Sequence, residues 1–174
     1  LTARVMDQTG SLAAADAPKG AALTLGVIDV VGREDGSFQL SKAAGTSGLD
    51  VQGLANDQGF RSFNLSLQGP VEVHADLNLP PMTQVKVSTP GDVHWAGSVN
   101  SVGGSVVASG FNVYVSPGVR FDLAGRWVND AAWVAAQGDG LSTALPAYAI
   151  KGGSLNLSGN RVSLGDGVMV DVSG

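Results

Sequence analysis

Four aspartates recur in one setting. Asp29, Asp50, Asp122 and Asp171 each stand in an apolar–Asp–apolar–X–Gly signature (IDVVG, LDVQG, FDLAG, VDVSG), at separations of 21, 72 and 49 residues. On a strand, alternation places each carboxylate opposite its apolar neighbours, so the set would face solvent. A row of outward carboxylates can hold a cation, or serve as acid and base in cleaving a polysaccharide. The separations lie near one, three and two multiples of a repeat of roughly 21 to 25 residues. On that arithmetic Asp122 and Asp171 fall two turns apart, and no second carboxylate recurs beside either. The spacing therefore favours a solubilising position at strand ends, where a charge also deters sideways aggregation.

The other residues with chemical potential lead to similar readings. His74 and His94 are the only histidines and lie 20 residues apart, each after a valine. Two ligands do not complete a tetrahedral zinc site, and the spacing instead predicts exposed positions stacked on neighbouring rungs. Gly138-Asp139-Gly140 and Gly165-Asp166-Gly167 look like calcium-binding turns but lack the tandem nonapeptide such sites need, so they read as turns. No G-x-S-x-G elbow and no phosphate loop occur. Asn64-Leu65-Ser66 and Asn156-Leu157-Ser158 match a glycosylation sequon, yet both fall in predicted strands. No catalytic residue, metal site or cofactor is expected. The remaining candidates are aromatic. Trp127, Trp133 and Tyr148 cluster in one irregular segment and could form a platform for a sugar ring or a protein partner. The competing and favoured reading has them cover the side of the core; if this chain carries a site, these three residues are the ones to test.

The elements that position these residues come from an internal repeat. Residues 103–125 (GGSVVASGFNVYVSPGVRFDLAG) and 152–174 (GGSLNLSGNRVSLGDGVMVDVSG) align without a gap at an offset of 49, with ten of 23 positions identical. Alternation within the unit marks three short strands. Val106 and Ala108, Val113 and Val115, and Val119, Phe121 and Leu123 point inward in the first copy. Leu155, Leu157, Val162, Leu164, Val168, Val170 and Val172 do so in the second. Glycine stands at the corners, where positive φ is cheap without a Cβ. Short alternating runs at 38–42, 63–67, 71–74, 77–79, 85–88 and 93–95 extend the pattern, and residues 23–32 resemble the closing stretch. The expected fold is all-β: a right-handed parallel β-helix, a solenoid with roughly three short strands per rung, over residues 1–174 as a single segment. About seven rungs at strand spacing would make a rod about 35 Å long. Residues 1–22 read as a loop or a worn repeat. Residues 126–151 break the rhythm and read as a protruding loop or a distorted rung, returning at Gly152.

Composition sets the outer limits. The chain has 174 residues, a net charge of −5, 25 glycines, no cysteine and only 14% charged residues. Clustered Lys and Arg for a nucleic-acid surface are lacking. No run of 18 apolar residues is present to span a membrane as a helix. A disulfide scaffold and thiolate metal sites are excluded. The chain opens without an initiator Met or signal peptide and stops at a repeat boundary, which reads as a piece of a longer protein.

With these motifs in view, the chain resembles the large filamentous-haemagglutinin-like exoproteins of Gram-negative bacteria, exported by two-partner secretion. The residues that carry the resemblance are Gly59-Phe60 with 65–73 (LSLQGPVEV), 119–130 (VRFDLAGRWVND), 151–157 (KGGSLNL) and 168–174 (VMVDVSG). It covers residues 20–174. The resemblance implies a β-helical shaft and an extracellular or cell-surface location. It implies adhesion to a host or neighbouring-cell surface protein or glycan, and an outer-membrane transporter as export partner. The NPNG-type motif of the secretion domain is absent, so the segment would belong to the shaft downstream. A polysaccharide-degrading β-helix enzyme using Asp122 or Asp171, and a phage tailspike-like shaft, are the alternatives.

Overall fold

The computed structural model describes residues 22–26, 38–39, 49–128 and 148–174, with 22–26, 38–39, 127–128 and 148–149 described by backbone position only. Among these residues strands dominate, with one short helix. The first strands are β1 (Ala22–Gly26) and β2 (Phe38–Gln39), followed by helix α1 (Val51–Gln58). Three circuits of three strands then follow. The first is β3 (Ser62–Ser66), β4 (Val71–Val73) and β5 (Leu77–Asn78). The second is β6 (Gln84–Ser88), β7 (Val93–Trp95) and β8 (Val99–Asn100). The third is β9 (Ser105–Ser109), β10 (Asn112–Val115) and β11 (Arg120–Asp122). After β12 (Arg126–Val128) and β13 (Tyr148–Ile150) comes a fourth: β14 (Ser154–Ser158), β15 (Arg161–Leu164) and β16 (Met169–Asp171).

Corresponding strands of successive circuits pair in parallel, giving three sheets. Their orders are β1-β3-β6-β9-β14, β2-β4-β7-β10-β15 and β5-β8-β11-β16. The register advances by 22 residues from Phe63 to Val85, by 22 from Val71 to Val93, by 20 from Val93 to Val113 and by 22 from Val99 to Phe121. The next step is 49 residues in all three sheets, pairing Val106 with Leu155, Val113 with Val162 and Phe121 with Val170. This corrects the two-turn arithmetic: residues 49 apart are neighbours on adjacent strands. The surplus length is taken up between β12 and β13, which pair antiparallel with Arg126 opposite Ile150. The chain thus leaves after the third circuit and rejoins beside its point of departure.

Alternation explains the core. Phe63 and Leu65, Val85 and Val87, and Val106 and Ala108 stack inside the first sheet, all buried. Val71 and Val73, Val93 and Trp95, and Val113 and Val115 do so in the second. Leu77, Val99 and Phe121 complete the third, with the Trp95 and Phe121 ring centroids 5.6 Å apart. Each large aliphatic or aromatic side chain so buried contributes about 1.5–3 kcal/mol before entropy is counted. Every residue assigned inward in 103–125 is buried. Their counterparts in 152–174 hold the same register but remain partly open, because nothing described lies beyond β14, β15 and β16.

Two glycine roles replace the single one expected. Gly118 and Gly167, equivalent corners of successive circuits, have φ of 76° and 74°. Gly153 is needed for a different reason: a Cβ there would strike the Gly104 carbonyl on the adjacent circuit. The LDVQG copy is also corrected. Asp50 ends no strand; it caps α1, with its Oδ1 accepting the Gly53 N–H at 2.7 Å. Val51 and Ala55 form the buried face of α1, and Gly59 terminates it at φ 79°. The helix closes one sheet edge. Gln52 Oε1 accepts the Asn78 N–H at 2.7 Å, and Asn56 Nδ2 donates to the Asn78 carbonyl at 3.0 Å. An edge strand covered in this way offers no free ladder to another chain.

Candidate functional site

The outer face of the third sheet collects the most polar chemistry. Leu77, Val99, Phe121 and Val170 point into the stack, so the residues beside them form outward rows. One row is Asn78, Asn100, Asp122 and Asp171, each the register partner of the next. Beside it run Asp76, Ser98 and Arg120, at the same 22-residue interval. Two contacts tie this second row together and a third links it to the first. Asp76 Oδ1 accepts the Ser98 N–H at 2.7 Å, and Ser98 Oγ accepts the Arg120 N–H at 3.1 Å. The Arg120 guanidinium then donates to Asp122 Oδ2 at 3.3 Å. A shallow groove of about 170 Å³ lies between the rows, lined by Asp76, Asn78, Ser98, Asn100, Arg120 and Asp122 over Val99.

Two of the recurring aspartates meet on this face. Asp122 and Asp171 are direct partners on adjacent strands. The expectation that no outward carboxylates share adjacent rungs is therefore overturned, because the inserted segment makes the 49-residue step a single circuit. Asp171 is nevertheless engaged by its own strand end. The Ser173 hydroxyl and, secondarily, the Ser173 N–H donate to its Oδ1 at 2.7 and 3.0 Å, holding its carboxyl below the usual range. Desolvation opposes this, and Arg120 adds the smallest pull, in the same direction as Ser173. Such a group stays ionised at neutral pH and is poorly suited to donate a proton. Asp29 lies outside the described residues.

The histidines do not stack on each other. The 22-residue offset places Glu72, not His74, against His94, and Tyr114 lies on the other side of His94. The His94 and Tyr114 rings stack at 4.9 Å, and His74 Nε2 lies 2.7 Å from Glu72 Oε2 at an exposed strand end. Among the described residues no group of three or more His, Asp or Glu side chains could hold a metal ion. The Asp166-Gly167 pair forms a turn, as its sequence suggests; residues 138–140 lie outside the described residues.

The aromatic trio is only partly placed. Backbone pairing sets Trp127 opposite Ala149 and Val128 opposite Tyr148 on the β12–β13 ladder. The side chains of Trp127 and Tyr148, and all of Trp133, lie outside the described residues. Sequence reasoning missed Asn78, Ser98, Asn100 and Arg120. The signal that would have found them is the triplet with an apolar centre at 76–78, 98–100, 120–122 and 169–171: DLN, SVN, RFD and MVD.

No helix among the described residues is long and apolar enough to cross a membrane. No protein-family model matches the chain, and neither a curated protein nor a solved structure matches it.

Proposed function

We propose that the chain is a right-handed parallel β-helix serving as a structural and adhesive shaft segment in a large exported, surface-exposed protein of the filamentous-haemagglutinin-like type. It carries out no catalysis. The observation that supports this most is the fixed order in which the chain visits three parallel sheets, with a register step of 20–22 residues per circuit from β3–β5 through to β9–β11. Crossovers between parallel strands are right-handed in nearly all proteins, which supports that hand. A stack of this kind lengthens by repetition and presents flat polar sides, as a shaft requires. On this reading the segment works outside the cell. Its partners are an outer-membrane transporter during export and a protein or glycan of a host or neighbouring cell afterwards.

Binding of the purified chain to host-cell surfaces tests the adhesive part, with Trp127→Ala and Trp133→Ala as variants. Loss in either assigns the site to residues 126–151; equal binding in both removes that segment from consideration, and no binding by the unaltered chain counts against adhesion itself. One observation favours a second reading, a polysaccharide-cleaving enzyme: the Asp122–Asp171 pairing on adjacent strands. The depressed Asp171 carboxyl argues against an acid–base pair there. Product release from a panel of acidic polysaccharides, lost in Asp122→Asn, would establish the enzyme. A trimer by light scattering would instead support a tailspike-like shaft.

A further inference from the structure

We propose that the groove on the outer face of the third sheet binds a neutral glycan through its hydroxyls. This rests on the adhesive reading and names the ligand class for it, at a site distinct from the aromatic segment. Much of the groove wall is already engaged. Asp76, Ser98, Arg120 and Asp122 are linked in series by hydrogen bonds, the first two from backbone N–H groups, so Asp76 and Ser98 are anchored before any ligand arrives. Preorganised polar side chains bind with less entropic cost than mobile ones.

The Asn78 and Asn100 carboxamides differ. Both are exposed, and neither makes a side-chain hydrogen bond among the described residues. Each offers two N–H donors and a carbonyl acceptor, which complements a hydroxyl that both gives and takes a proton. As register partners they stand one strand spacing apart, about 4.8 Å. That separation suits successive polar groups of an extended saccharide running along the stack. Asp122 continues the row and supplies acceptors, while Arg120 supplies donors beside it.

Charge selects among saccharides. Asp76 and Asp122 outweigh Arg120 in the groove, and Asp171 adds another negative charge on the next strand. An anionic polysaccharide would meet net repulsion without compensating cations. Neutral hydroxyls carry no such cost, and a cationic sugar would find both groove carboxylates already engaged, Asp76 by the Ser98 N–H and Asp122 by the Arg120 guanidinium.

Isothermal titration of the whole chain with neutral, anionic and cationic oligosaccharides (a β-glucan and a mannan, a polygalacturonate, a chitosan) tests the proposal. Binding of a neutral oligomer is expected. It should weaken about tenfold in Asn100→Ala and in Asn78→Ala, as for one lost hydrogen bond to a fixed group. Lys86→Ala, on the outer face of the first sheet, should leave it unchanged. Asn100→Asp, which keeps the volume, should also weaken it; circular dichroism would verify the fold of each variant. The proposal is overturned by no neutral binding, by preference for the anionic or cationic oligomer, or by neutral binding that survives both alanine variants. In those cases cell-surface binding by the unaltered chain would still uphold adhesion through another surface.

Discussion

Trp95 is the largest side chain in the core, and its indole N–H has no acceptor among the described residues. A buried donor left unpaired costs about 1–3 kcal/mol. Trp95→Phe removes that donor and keeps an aromatic ring against Phe121, so it should destabilise clearly less than Trp95→Ala, the lost donor offsetting part of the smaller cavity. Trp95→Ala should cost about 3–5 kcal/mol by urea unfolding, since it opens a cavity between Val73 and Val115. Equal losses in the two variants would show that the ring is not packed against Phe121. Asp171 yields a pH prediction. Its carboxyl is depressed in the folded chain, so the stability it adds is present above its unfolded pKa and lost as pH falls through the folded value. Ser173→Ala should return the carboxyl toward its ordinary value, read by NMR titration; an unmoved titration would show that Ser173 is not the cause. At this scale the sequence was easy to read where alternation decides direction, as at Phe121 and Leu123. It misled at Asp122 and Asp171, because their spacing fits two repeats as well as one repeat plus an insertion.

The helix shows why a five-residue signature is weak evidence for an element. LDVQG has the strand-end pattern, but Asp50 also caps a helix, Val51, Leu54 and Ala55 have helical spacing, and Gly59 is a stop. The longer window carries the decisive information. The same helix leaves a measurable mark on β5. Gln52→Ala combined with Asn56→Ala removes both side-chain bonds to Asn78, so the Asn78 amide should exchange with solvent at least about tenfold faster. The Val99 amide, one strand further in, should hardly change. If both speed up together, α1 supports the whole end of the stack rather than one edge. The β12–β13 pair was not legible as an antiparallel ladder, because Arg126–Val128 carries neither turn signal nor long alternation. What could be read was the break in rhythm around it.

Across the molecule, burial falls toward the last circuit although the pattern of residues is the same. Leu65 is 0% exposed and Leu164 is 55% exposed, yet each occupies an inward row. Leu65→Ala should therefore cost about 2–5 kcal/mol, and Leu164→Ala less than about 1 kcal/mol. Comparable losses in chemical denaturation would mean that the last circuit is covered in solution. Inward direction was legible from alternation, but burial was not, since it depends on which circuits have neighbours on both sides. The insertion absorbs sequence without adding a tier between β9 and β14, for the same reason that the aspartates misled.

The register across that insertion is the feature on which the rest of the stack depends. The chain has no cysteine, so a pair introduced at chosen positions reports proximity without background. Val107 and Asn156 are partners on β9 and β14, and Lys86 lies one strand further away, opposite Val107. Cα atoms at one parallel-strand spacing, about 4.8 Å, can be bridged by a disulfide, whereas those at twice that spacing exceed its reach of about 7 Å. Oxidation of Val107→Cys with Asn156→Cys should give an intramolecular disulfide in high yield, seen by thiol titration and mass spectrometry. Lys86→Cys with Asn156→Cys should stay reduced. Cross-linking of Lys86→Cys with Asn156→Cys, and not of Val107→Cys with Asn156→Cys, would contradict the stacked register.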